Sequence, residues 1–377
     1  MNSFIESKKL YFNTAKCFQI HIGPRKEECC ELKVHDKKMK QVCSEKYLGD
    51  ILSNSGNDEN IENRRKIGNQ TISDLMTTLQ EVGVGGFYIK SGLIYRDAIL
   101  KPKLLLNSEV WHSLTLQQIS ILEEIDKKYL RIILNCHEKV ALECIYFECG
   151  VMALEYDVMK RRLLYLWKLL HLNENELIFR VFKSQEISSN QGDWVRQVEN
   201  DKKKLGLEIT NSEIRNLSKL KFKTLIKSKI ESFALHKLNE MKLKHEKSQY
   251  LHSTSFKVSE YLVDRRFSKS EAQILFKLRS RTLNLKKNFS SQSQDDLCRT
   301  CKLFPETQSH LLQCPGIVPR LKILCVNSLE VSEEMIYGGV EDQLQIAKIY
   351  IKIWEIRKTI LEEDESVQSV NQIGQCM

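Results

Sequence analysis

The stretch SNSGNDENIENRRKIGNQTISDLMTTL (53–79) marks where the chain changes character. Its first eight residues are turn-forming and helix-capping types. Behind them Ile61, Ile67, Ile72, Leu75, Met76 and Leu79 recur at three- and four-residue spacings, which predicts a long helix with one apolar face. Upstream, CFQIHI (17–22), CELKVH (30–35) and KYLGDIL (46–52) are short strand-like runs separated by GPRKEE and a lysine-rich turn. A small antiparallel sheet is therefore expected over 1–56, entered by a helix at 1–8.

Downstream the pattern stays helical. GVGG (83–86) interrupts the first helix, and Tyr88 to Trp111 resumes it, with Pro102 placed to kink or divide it. Further helices are expected at 115–134, 154–172, 174–184, 190–204, 212–246, 269–285 and about 340–362. Only 15 Gly and 5 Pro punctuate 377 residues, so the fold class expected is mainly α. The apolar run LLYLWKLLHL (163–172) is about half the length a bilayer needs and contains Lys168, so it reads as a core helix and no membrane span is expected. MNSFIESKKLYF lacks the pattern of a secretory signal, and an intracellular protein, nuclear and/or cytoplasmic, is expected. KKKL (202–205) is too short to decide between those compartments. In a reducing compartment the twelve cysteines are buried thiols or metal ligands rather than disulfides.

Four of those cysteine and histidine positions stand apart. Beyond the Ser/Gln-rich linker SSQSQDD (290–296), Cys298, Cys301, His310 and Cys314 form CX2CX8HX3C. A tight CX2C turn offers two thiolates, and an i,i+4 pair offers two more donors from one helix face, which is the set tetrahedral Zn²⁺ takes in a structural site. So short a segment has little core of its own, so metal binding is expected to drive its folding. Chance occurrence in a cysteine-rich chain is the alternative, against which stands the clustering of all four ligands within 17 residues.

The net charge of +9 is unevenly placed: residues 201–300 hold 23 Lys and Arg against 11 Asp and Glu. Lys219, Lys223 and Lys227 share a helical face with Lys221, and Arg265, Arg266, Arg279 and Arg281 continue the basicity. Such spacing suits a phosphate backbone, although a solvated helix face looks the same in sequence. The interleaved aromatics Phe222, Tyr261, Phe267 and Phe276 read as core before they read as stacking platforms. No phosphate-binding GX4GK[ST] loop or GXSXG elbow occurs. The only Asp-Asp pair, Asp295–Asp296, sits in the linker with no strand leading into it, unlike the carboxylates that hold two metals in a polymerase. No catalytic residue is assigned.

In order along the chain, NTAKC (13–17), KYLGDILSNSG (46–56), SEVW (108–111), LEEIDKKYLR (122–131) and CRTCKLFPETQSHLLQC (298–314) resemble the C-terminal part of a non-LTR (LINE-type) retrotransposon reverse transcriptase, over about residues 10–320. The resemblance implies a palm remnant with a primer-grip hairpin (1–56), a helical thumb (57–135), a basic helical connector (136–289), a CCHC zinc knuckle (290–325) and a C-terminal helix with polar tail (326–377). Lys16 resembles the lysine of the fourth palm motif, and Tyr47, Leu48 and Gly49 resemble the primer-grip turn; these residues and the basic helices would then contact RNA and/or DNA. Trp111 and Leu122 would be core positions. The family's catalytic aspartates and their Mg²⁺ belong N-terminal to the fourth motif, so Met1 reads as an internal methionine of a longer frame, and this chain alone is expected to be inactive as an RNA-directed DNA polymerase. A domesticated zinc-dependent nucleic-acid-binding protein and a helical interaction scaffold are the alternative readings. Oligomeric state is not legible.

Overall fold

The computed structural model describes residues 13, 16–21, 32–34, 37–82, 87–111, 114–188, 193–244, 255–289, 295–323 and 332–374. The helix expected at 1–8 and the GVGG break lie outside them. The chain is mainly helical, with small two-stranded sheets near its N-terminus and a Cys/His cluster near its C-terminus. Among the described residues no helix is long and apolar enough to cross a membrane.

The expected antiparallel sheet is instead three separate two-stranded pairings. Phe18–Gln19 pairs in parallel with Lys40–Gln41, whereas Lys33–Val34 with Lys37–Lys38 and Ser44–Tyr47 with Asp50–Ser53 are antiparallel. KYLGDIL is not one strand, because it straddles a two-residue hairpin turn. Leu48 and Gly49 have φ of 47° and 92°, the left-handed pair that matches the twist of the flanking strands. The hairpin is tied down by Arg64, whose guanidinium donates to the Gly49 carbonyl at 2.8 Å and pairs with the buried Asp50 carboxylate.

The helices fall in two compact units, each built from three separated stretches, so neither coincides with a linear segment of the chain. The first comprises 1–73, 98–126 and 153–230. Its core includes Ile61, Leu104, Trp111, Leu122, Leu163, Phe182, Trp194 and Phe222. The long helix Asp58–Val82 opens on acidic residues, as its N-terminal dipole favours. Ahead of Pro102 the backbone widens into a π turn, Arg96–Leu100, because proline supplies no N–H to continue the ladder and its ring crowds the preceding turn. The helix expected over 212–246 is two helices, Asn211–Asn216 and Lys219–Lys244. Leu217 is extended between them, and Ser218 Oγ accepts from the Lys221 N–H at 3.3 Å to start the second.

The second unit comprises 74–97, 127–152 and 231–377. It contains a helix the sequence periodicity did not reveal, Leu142–Cys149, in which every residue from Glu143 to Cys149 is buried. Total burial removes the amphipathic pattern, and Glu143 and Glu148 disguise the segment as a surface loop. The helix ends at Gly150, with φ of 60°, where a Cβ would lie 2.5 Å from the Val258 amide nitrogen. Gly150→Ala is expected to destabilise the chain by ~3 kcal/mol through left-handed strain plus overpacking, read as a lowered denaturation midpoint. Helix Lys269–Arg279 follows, started by a Ser268/Glu271 capping box, and ends before residue 285 as the chain turns through Arg281 with φ of 51°. The last helix, Val340–Gly374, runs further than expected.

Candidate metal centre

Cys298, Cys301, His310 and Cys314 converge: their ligand atoms all lie within 4.8 Å of one another. The Cys298 and Cys314 sulfurs are 3.8 Å apart, and the Cys301 sulfur is 3.3 Å from His310 Nε2. A tetrahedral zinc with Zn–S bonds of about 2.3 Å requires sulfur–sulfur edges of about 3.8 Å, which the Cys298–Cys314 pair matches, and the cluster can hold a metal ion such as zinc.

Local backbone geometry explains the convergence. A bridge between Leu297 and Pro305, with the Cys298 N–H donating to the Phe304 carbonyl at 2.7 Å, closes a small loop around the CX2C turn. Lys302 sits at φ 57°, and beyond it the N–H groups of Leu303 and Phe304 aim at the Cys301 sulfur. Burial acts to raise the Cys301 thiol, but those N–H groups and hydrogen bonds with the Cys314 and Cys298 thiols together outweigh it, and its pKa lies below the ordinary thiol value. On the other side Thr307 caps helix Gln308–Gln313 by accepting from the His310 N–H at 3.0 Å, which sets the rotation of His310. Cys314 is the first residue past that helix, in extended conformation, rather than the i,i+4 partner on its face. Burial pushes its thiol up to about 11, against the Thr300 hydroxyl and the Gly316 N–H that favour the thiolate. The Thr300 hydroxyl lies 3.0 Å from the Cys298 sulfur and 3.1 Å from that of Cys314, where it orients both.

The residue that seats this segment is Glu306, whose role the sequence did not disclose. Its carboxylate is fully buried and accepts from the Arg299 guanidinium at 2.7 Å, from Arg357 at 3.0 Å and from the Lys286 N–H at 2.8 Å. Burial acts to raise its pKa, but these donors outweigh it and hold the carboxyl below the usual range. Tyr350 adds a hydrogen bond of 2.8 Å to the Gln308 carbonyl. The Cys/His segment is thus docked on the C-terminal helix through Arg357 and Tyr350, and Leu311 and Ile317 are buried with it.

The other candidate residues are dispersed. Lys16 is exposed, and Tyr47 and Leu48 stand out from the hairpin turn, 55% and 77% exposed. Lys219, Lys223 and Lys227 are exposed on their helix and flank the buried stripe Phe222, Ile226 and Ile230, each lysine one i,i+3 step from a stripe residue. Arg265 is exposed, and Arg266 is held by Asp264 and Glu341. Arg279 belongs to the interior: it pairs with the buried Glu148 at 2.7 Å, donates to the Ile336 carbonyl at 3.0 Å and lies against the rings of Tyr261 and Tyr337. Arg281 is half-buried in the turn that follows. Tyr261, Phe267 and Phe276 are core residues. Asp295 and Asp296 are paired with Lys286 and Lys287 at 3.0 and 3.3 Å. No disulfide joins the described cysteines, and outside the cluster none of them joins a metal-sized group.

No protein-family profile, curated protein or solved structure matches this chain.

Proposed function

We propose that the chain is a zinc-organised nucleic-acid-binding module, the C-terminal part of a non-LTR retrotransposon reverse transcriptase. The observation that carries this reading is the convergence of Cys298, Cys301, His310 and Cys314, with all ligand atoms within 4.8 Å of one another, in the segment whose sequence resembles the family's knuckle. The exposed Lys219, Lys223 and Lys227 supply a cationic face for phosphates. Zinc would be structural here, since all four positions are protein ligands and none is left open for a substrate or water.

The test is fluorescence anisotropy of the purified zinc-loaded chain with single-stranded and duplex RNA and DNA across a salt series. Binding that weakens steeply with salt and is lost on chelation supports the reading; no binding to any of these at low salt overturns it. Lys219, Lys223 and Lys227 changed together to Gln are expected to flatten the salt dependence on a single strand by about 0.7 in log–log slope for each phosphate contact removed. With Mg²⁺ and a template–primer, the expected result is no extension.

A further inference from the structure

We propose that a cleft in the second unit, lined by Lys139, Lys277, Trp354 and Lys358, binds a single strand of nucleic acid, its phosphates on the lysines and a base against the tryptophan. This inference rests on the nucleic-acid-binding reading above and adds a site for it within the second unit.

The cleft has a volume of about 730 Å³ and is walled by helix Lys269–Arg279, the turn after it, the loop after residue 134 and the C-terminal helix. That size lies within the range of small-ligand sites, roughly 300–1,000 Å³, so it admits a nucleotide or two of a strand and excludes a duplex. Its charged lining is Lys139, Lys277 and Lys358, with His137 beside them and Glu355 as the single carboxylate. Lys358 has a partner of its own, Glu362, at 3.6 Å. Lys277 and Lys139 have no carboxylate within ion-pair distance among the described residues. A half-buried ammonium without a counter-ion is costly, and burial lowers the Lys277 pKa. A phosphate in the cleft would supply the missing charge.

Trp354 provides the second half of the recognition. It is half-buried, and the Arg357 guanidinium covers it at 4.7 Å from the ring centroid. Arg357 is itself fixed by Glu306, so the indole is held rather than free to rotate away. A fixed aromatic next to cations is the arrangement by which strands are bound without sequence preference, each base offering a π face. Asn135 and Asn284 on the rim offer hydrogen bonds to base edges or sugars.

The experiment measures anisotropy of a fluorescein-labelled single-stranded oligonucleotide with the zinc-loaded full chain and with Lys277→Gln, Lys139→Gln and Trp354→Leu. Zinc stoichiometry and far-UV circular dichroism serve as controls of folding. Expected are a loss of roughly fivefold for each lysine with a shallower salt slope, and of about tenfold for Trp354→Leu. If the tryptophan variant fails to fold, the two lysine variants, whose side chains have no ion pair to lose, decide the matter. Wild-type binding with unchanged affinity and slope in both lysine variants overturns the cleft and leaves the broader reading standing. No wild-type binding at low salt overturns both.

Discussion

Glu306→Ala is expected to lower the stability of the chain by about 3–5 kcal/mol, because it strands the buried Arg357 charge and removes the acceptor for Arg299 and the Lys286 N–H. Glu306→Gln is expected to cost less, since its amide still accepts one hydrogen bond from the guanidinium groups. The measurement is a guanidinium denaturation curve on the zinc-loaded protein. An Ala variant within about 1 kcal/mol of wild type would show that the carboxylate is not what holds the Cys/His segment to the C-terminal helix. The pH dependence has a definite sign. The folded-state pKa of Glu306 is depressed, so its stabilisation is present above the unfolded value of about 4.3 and is lost as pH falls through the lower, folded value. The stability gap between wild type and Glu306→Gln should therefore narrow below about pH 4.

The second large effect concerns the metal. Cys298→Ser, or chelation of the wild type, is expected to abolish the site and unfold residues 295–323 locally, because a structural zinc contributes on the order of 10 kcal/mol to so small a segment. Hydrogen exchange should show protection lost over those residues and retained over helix Leu154–Leu170, which lies in the other unit. Protection unchanged after zinc is removed would mean that docking through Glu306, Tyr350 and Leu311 suffices without metal. Binding must displace the proton that burial keeps on Cys314, so the apparent zinc affinity should rise with pH from about pH 6 to about pH 8, roughly tenfold per unit for each proton released.

The mainly helical fold and the Cys/His cluster that could hold a metal were legible because both are written in local spacing. Ile61, Ile72 and Leu79 repeat with the period of a helix and are buried. Cys298 and Cys301 are brought together by a turn, and His310 and Cys314 by a single short helix and its end.

What only the tertiary structure decided depends on partners far away in the chain. Arg279 looks like one more surface cation beside Lys277 and Arg281, yet its carboxylate partner, Glu148, lies 131 residues earlier on a helix too buried to show a periodic pattern. Glu306 is one polar residue of a short motif until Arg357, 51 residues on, encloses it. The parallel pairing of Phe18–Gln19 with Lys40–Gln41 joins strands whose own alternation carries no information about direction. A single sequence records which residues favour a turn, a helix or a metal, because those preferences act over a few bonds. Whether a charge faces water or is buried against its counter-ion is decided by the desolvation cost and Coulomb attraction of groups that meet only after the chain has folded.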